Sequence, residues 1–246
     1  MKRTLHSPDV HIGSLDRRPD ATEHRQLLEA QGFPAIRSRE ELVGRFLRTE
    51  SRKLRVVDFL IRYVQEHGVQ SIISLGAGTG VPEYLIALAT GCQVVASDYD
   101  PLHVRQASDL LGIQACEFDI TGGDFSKFPV ATSSPKLVLL VGSAYVMDDE
   151  EFVHLLGSMA AAGRPRVLDF ELGYIDLPTR IALYRRDLVR LPMVRQVFRR
   201  AHAPALGKMH GFQRDRAALR TIYRRAGWKL AREFKLPPYS YAAELH

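Results

Sequence analysis

Two cysteines are all that this 246-residue chain contains. Cys92 and Cys116 have no metal-ligand spacing, and both are expected to be reduced, buried small hydrophobes, not a disulfide or a zinc site. No apolar run reaches the roughly eighteen residues that a membrane-spanning helix needs. The opening Met1-Lys2-Arg3-Thr4 has basic residues with no apolar stretch behind them, so no secretory signal is read and a cytoplasmic location is expected. Internal repeats and low-complexity tracts are absent too. What is present is a chain 46% hydrophobic, enough for a globular domain with a sizeable core.

The most informative stretch is Ser71-Ile72-Ile73-Ser74-Leu75-Gly76-Ala77-Gly78-Thr79-Gly80. It reads as a buried strand running into a glycine-rich turn, with a helix beginning near Val81-Pro82. Glycine tolerates φ > 0 and has no Cβ to hold a ligand away. A helix start offers free N–H groups and a positive dipole end, and proline suits the first helical turn. The pattern fits a nucleotide-like cofactor; the plainer alternative is a simple strand-to-helix connection. One further absence narrows the ligand. Val81 stands where a G-x-G-x-x-G dinucleotide turn needs its third glycine, whereas a ligand without a pyrophosphate needs only the tighter G-x-G-x-G.

Gln93-Val94-Val95-Ala96-Ser97-Asp98 reads as a second strand ending in a carboxylate placed to accept ribose hydroxyls; a solvated turn residue is the alternative. Asp100-Pro101 reads as a cap and first-turn proline, opening a helix to about Leu111. A third strand, near Gln114 to Phe118, ends in Asp119-Ile120. At these residues the chain resembles the class I S-adenosylmethionine-dependent methyltransferases, whose first motif commonly runs acidic-x-G-x-G-x-G. The resemblance covers roughly Ser51 to His246 and implies S-adenosyl-L-methionine as cofactor. It implies Gly76, Ala77, Gly78 and Gly80 around the methionine end, and Asp98 with Tyr99 at the ribose. Asp119 would meet the adenine amino group, Ile120 the ring, and Ser143 would join them. Ser74 departs from the family pattern, standing where Asp or Glu is usual.

The remaining elements agree with that architecture. Lys136 to Val141 is a continuous apolar run, as a strand covered on both faces requires. Asp148 with Glu151 offers a capping box for a helix to about Ala161. Arg166 to Phe170 reads as a fifth strand, about Arg214 to Ala226 as a helix, Trp228 to Lys235 as a strand, and Tyr239 to Leu245 as the last. Alternating strands and helices imply an α/β, Rossmann-like, mostly parallel seven-stranded sheet with helices on both faces, closed by an antiparallel hairpin.

Two segments lie outside the common sheet. Residues 1–50 form an expected amino-terminal lid, with helices around Thr22 to Ala30 and Arg39 to Leu47, the second opened by Ser38 and Glu41 as a capping box. Residues 51–246 form the cofactor-binding domain, starting with an amphipathic helix from about Ser51 to Glu66 that carries Leu54, Val57, Ile61 and Val64 on one stripe. Arg48-Thr49-Glu50-Ser51-Arg52 is also loosely similar to the leucine carboxyl methyltransferase family, which implies that Arg48 or Arg52 holds the cofactor's carboxylate; a solvated arginine is the alternative. The second segment is a helical insertion after the fifth strand, 173–211. Arg164 to Lys235 hold 18 Lys+Arg against 6 Asp+Glu, while residues 1–163 hold 16 against 21. That split prompts a nucleic-acid, lipid-headgroup or anionic-substrate reading. Interleaved Ile181, Leu183, Leu188, Leu191, Val194, Val197 and Phe198 point instead to an amphipathic lid, so nucleic acid is disfavoured as a partner.

Methyl transfer needs an acceptor held in line and kept dry, with a base where the acceptor is a hydroxyl or ammonium. Candidate bases are Tyr145, His210 and Glu171. Their plainer roles are packing on the cofactor, capping a loop, and holding an arginine. Pro237-Pro238-Tyr239 imitates the N/D-P-P-Y motif of amino-methyltransferases, but Leu236 replaces the polar residue and the segment follows the wrong strand. The expectation is a small-molecule methyltransferase acting at oxygen or nitrogen, monomeric or homodimeric. RNA or phospholipid methylation, an NAD-linked oxidoreductase and a non-catalytic protein of the same fold are the rivals.

Overall fold

The computed structural model describes residues 5–6, 36–129, 137–171, 174 and 212–246. The expected helix at Thr22 to Ala30, His210 and, apart from Tyr174, the 173–211 insertion therefore lie outside the described residues.

In chain order the elements are β1 Leu5–His6, α1 Arg39–Thr49, α2 Leu54–His67, β2 Ser71–Leu75, α3 Val81–Thr90, β3 Gln93–Asp98, α4 Pro101–Arg105, β4 Gln114–Glu117, β5 Leu137–Val141, α5 Asp149–Ala161, β6 Arg166–Glu171, β7 Phe212–Gln213, α6 Arg216–Arg225, β8 Leu230–Leu236 and β9 Tyr239–Leu245. Seven strands form one sheet in the order β4-β3-β2-β5-β6-β9-β8. The first five of that order pair in parallel; β9 enters antiparallel between β6 and β8. β1 and β7 form a separate two-residue antiparallel pair. Parallel neighbours need a crossover, and helices supply them. The β8–β9 hairpin turns at Pro237-Pro238, the expected antiparallel closure.

The apolar runs of the central strands feed two faces. Ile73, Val95, Val138, Leu140 and Val167 meet Phe152, Leu155 and Met159 of α5 and Leu219, Ile222 and Tyr223 of α6. The alternate residues Ile72, Val94, Leu137, Leu139 and Leu168 meet Val56, Val57, Leu60 and Val64 of α2 and Ile86 of α3. Period-2 alternation between two apolar faces is why apolar residues run consecutively through the middle of these strands. Cys92 and Cys116 are free and buried. Among the described residues no helix is long and apolar enough to cross a membrane.

Local signals place most boundaries. Asp148 and Glu151 form the expected capping box on α5. At α1, Ser38 Oγ accepts from the Glu41 N–H, but the Glu41 carboxylate accepts from the Arg37 N–H, so the expected reciprocal box is only half made. The α2 stripe is rotated from the expected one: Val56, Val57, Leu60, Tyr63 and Val64 are buried, while Leu54 and Ile61 sit at its margin. The helix after Asp100 loosens after Arg105 into a wider, π-type turn over Gln106–Leu110. The sixth helix starts at Arg216, not Arg214, because Asp215 caps it by accepting from the Ala218 N–H. Leu42 and Phe46 of α1 pack on Val81 and Leu111, which seats α1 over the start of α3.

Leu139 is completely buried, in register with Ser74 on one side and Leu168 on the other. Leu139→Ala should destabilise the fold by about 2–5 kcal/mol, read as a lowered urea midpoint with unchanged slope.

Candidate cofactor site

The turn after β2 sits at the carboxyl ends of the parallel strands, where open α/β sheets bind ligands. Gly76 and Gly78 take φ of 70° and 60°, the left-handed region that side chains rarely adopt. A Cβ at Gly76 would lie 2.6 Å from Ser143 Cβ, so the turn presses against the loop after β5. At Gly78 a Cβ would meet nothing within 4 Å: its side of the turn faces open space. The Ala77 N–H donates to Ser97 O at 2.8 Å, tying the turn to β3. Gly80 caps α3 at its N-terminus.

Asp98, at the end of β3, is 6% exposed. Its Oδ2 accepts from the Gly78 N–H at 2.9 Å, and its Oδ1 accepts from the Asp100 N–H at 2.9 Å and from His103 Nδ1 at 3.3 Å. Burial pushes the Asp98 carboxyl upward, but the His103 hydrogen bond and charge and the two N–H donors outweigh it, leaving it below its ordinary value. Burial likewise lowers the His103 imidazole, and Asp98, Asp100 and Glu50 more than reverse that. A carboxylate oxygen accepts two hydrogen bonds, so Oδ2 keeps room for a ligand hydroxyl beside Gly78. Asp100 acts as the cap expected of it, accepting from the Leu102 N–H. Tyr99 is half-buried between the two acids in sequence.

The other expected positions divide. Ile120 is buried and its Cδ1 lies 3.8 Å from where a Gly76 Cβ would stand; Ser143 meets the same point. Gly76, Ile120 and Ser143 are therefore brought together. Asp119 is exposed, its Oδ1 accepting from the Thr121 N–H and hydroxyl. Tyr145 is half-buried in the turn after β5, close enough for its charge to act on Tyr239. Glu171 is 1% exposed at the end of β6, where its charge acts on Tyr223. Arg48 and Arg52 are both exposed.

Glu83, Lys53 and Tyr239, to which sequence reasoning gave no site role, stand here beside Ser74, the departure from the family pattern. Ser74 is 1% exposed, and its hydroxyl donates to Glu83 Oε1 at 2.7 Å. Glu83, in the first turn of α3, is 2% exposed, and burial drives its carboxyl upward. Its Oε2 and the Ser143 hydroxyl have no hydrogen-bond partner among the described residues. Lys53 lies within electrostatic reach of Glu83 and is ion-paired with Glu50, which in turn acts on His103 and Tyr239. Tyr239 packs under the turn after β5, where a Gly142 Cβ would come 2.9 Å from its hydroxyl. An acid three residues after Gly80, opposite a serine at a strand end, was the one readable signal; a first-turn Glu is normally taken as a dipole partner.

These features suit S-adenosylmethionine. Open space beside Gly78, spare capacity on Asp98, and two orphaned polar atoms around the turn are what an adenosyl ligand with an amino-acid tail would complete.

No protein-family model matches the chain, and no curated protein sequence matches it. Solved structures do. Magnesium protoporphyrin IX methyltransferase (ChlM) from Synechocystis PCC 6803 with bound SAH superposes with a TM-score of 0.56 at 16% identity, over 92% of this chain and 98% of that one. The S-adenosylmethionine-dependent methyltransferase SibL in its apo form gives 0.54 at 16% identity, over 92% and 68%. The mitomycin 7-O-methyltransferase MmcR gives 0.54 at 14%, over 77% and 53%. At 14–16% identity these solved methyltransferases share the chain's fold, the mostly parallel seven-stranded sheet expected from the sequence.

The Asp98–His103 pair makes stability depend on pH. Because the folded His103 pKa is raised, its contribution is full below the unfolded value of about 6.5 and is lost as pH rises through the folded value. His103→Gln should flatten that alkaline decline, measured as melting temperature between about pH 6 and 9.

Proposed function

We propose that the protein is an S-adenosyl-L-methionine-dependent methyltransferase acting on an oxygen or nitrogen of a small-molecule acceptor. The observation that carries this reading is the Asp98 carboxylate seated on the Gly78 N–H at 2.9 Å, in a sheet of methyltransferase order. Gly76, Ala77, Gly78 and Gly80 would enclose the methionine end, Asp98 and Tyr99 the ribose, and Asp119, Ile120 and Ser143 the adenine. The amino-terminal segment would serve as a lid, with 173–211 as the acceptor-side cover. The carboxylate role assigned to Arg48 or Arg52 falls on exposed side chains; Lys53 is the cation in reach of the site.

Charge supports this ligand over NAD. Glu50, Glu83, Asp98 and Asp100 gather around the turn against Lys53 and His103. An excess of carboxylates disfavours a pyrophosphate and suits a ligand bearing an ammonium and a sulfonium. Val81 at the third-glycine position agrees.

When bound, the cofactor supplies an activated methyl group; the chain's part is to position the acceptor, exclude water and accept a proton. Tyr145, at the end of β5, and Glu171, at the end of β6, are the described candidates for that proton. Tyr239 is not one: burial, reinforced by Glu50, Glu83 and Tyr145, raises its hydroxyl far above the ordinary range, so it stays protonated.

The basic carboxyl half argues less for a polyanion than its composition suggests. Arg214 pairs with Asp149, Arg216 and Arg220 with Glu233, Arg225 with Glu150, and Arg232 with Glu244. Among the described residues these arginines are paired within the fold, which supports a small acceptor over RNA or a lipid surface.

Calorimetry with S-adenosylhomocysteine and with NAD tests the reading. The thioether should bind and NAD should not, and Asp98→Ala should weaken the thioether by about 1.5–3 kcal/mol. Tight NAD binding with none for the thioether would refute it.

A further inference from the structure

The burial of Glu83 is only half matched by hydrogen bonding within the fold. It lies in the first turn of α3 at 2% exposure, with one carboxylate oxygen receiving the Ser74 hydroxyl and the other meeting no partner among the described residues. A buried carboxylate costs several kcal/mol unless a cation or full hydrogen bonding completes it, and native proteins rarely leave such an oxygen bare. The nearby cation, Lys53, is already ion-paired with Glu50. Asp98 adds like charge. Among the described residues, the surroundings of Glu83 are therefore short of positive charge beside the turn that opens at Gly78.

We infer that Glu83, oriented by Ser74, is the anchor for the ammonium group at the amino-acid end of the cofactor. The inference rests on the methyltransferase reading and assigns within it a residue that the glycine turn itself does not name. Ser74 and Glu83 are matched for this. Serine at the end of β2 is small enough to admit the Glu83 carboxyl and gives it a donor, whereas an acid at that position would set two carboxylates against each other in a buried space. Lys53 lies within electrostatic reach of the same carboxylate but is held by Glu50, so the ammonium of the tail is the positive charge that would complete Glu83.

The test separates the amino-acid end of the ligand from its adenosine end. S-adenosylhomocysteine carries both; 5′-methylthioadenosine carries the adenosine and a thioether without the amino acid. By calorimetry, Glu83→Gln should weaken S-adenosylhomocysteine about tenfold or more, the loss expected for a charged hydrogen bond, and leave methylthioadenosine unchanged. Unaltered binding of S-adenosylhomocysteine, or equal weakening of both ligands, would overturn the assignment. A second comparison needs no variant, so a Glu83→Gln protein that fails to fold does not matter. The wild-type chain should bind S-adenosylhomocysteine about tenfold more tightly than its analogue with the amino group removed; equal affinities would overturn the role of Glu83. Wild-type protein that binds neither S-adenosylhomocysteine nor methylthioadenosine would overturn the cofactor reading, and the Glu83 assignment with it.

Discussion

The contact between the Asp98 carboxylate and the Gly78 N–H fixes the geometry on which the site depends. It joins the end of β3 to the apex of the turn after β2, and the Ala77–Ser97 hydrogen bond repeats the join one residue back. Both strands are parallel and adjacent, so their carboxyl ends open to the same side. Only glycine at position 76 lets the turn press so closely on its neighbour: the place of a Gly76 Cβ is already taken by Ser143. His103 then holds Asp98 ionised from the other side. The result is a charged, buried floor with an open side at Gly78.

Around this floor the charge is arranged in layers. Asp98 and Asp100 end β3, Glu83 rises from α3, and Glu50 with Lys53 comes from the junction of α1 and α2. Elements far apart in sequence converge because Leu42 and Phe46 seat α1 on Val81 and Leu111. Packing of the amino-terminal helix and electrostatics of the mouth are thus one arrangement. Most of the arginines described in the carboxyl half, by contrast, are tied to acids within the fold, and Arg214 is buried, holding Asp149 and the carbonyls of Ala144 and Met147 beneath the turn after β5.

Much of the sheet was legible in the sequence because its physics is local. Apolar runs such as Leu137–Val141 and the punctuation by Gly76, Gly78 and Gly80 mark strand and turn without knowledge of neighbours. Asp148 with Glu151, and Tyr239 as the start of the last strand, were readable for the same reason. Of the expected site residues, Asp98 meets the Gly78 N–H, Ile120 and Ser143 press on Gly76, and the Asp119 carboxylate accepts from Thr121. What stayed hidden depends on tertiary proximity. Glu83 looks like an ordinary first-turn acid until Ser74 is seen beside it, and Lys53 is one cation among many until α1 is docked. Net charge has the same limit, since a count of arginines does not reveal which of the described ones, such as Arg214 and Arg225, are paired with acids.

A crystal structure of the chain with S-adenosylhomocysteine examines the central claim most directly. The account predicts the adenosine seated on the open side of Gly78, with a ribose hydroxyl on Asp98 Oδ2. A ligand bound elsewhere, or an Asp98 carboxylate turned away from it, would contradict the account.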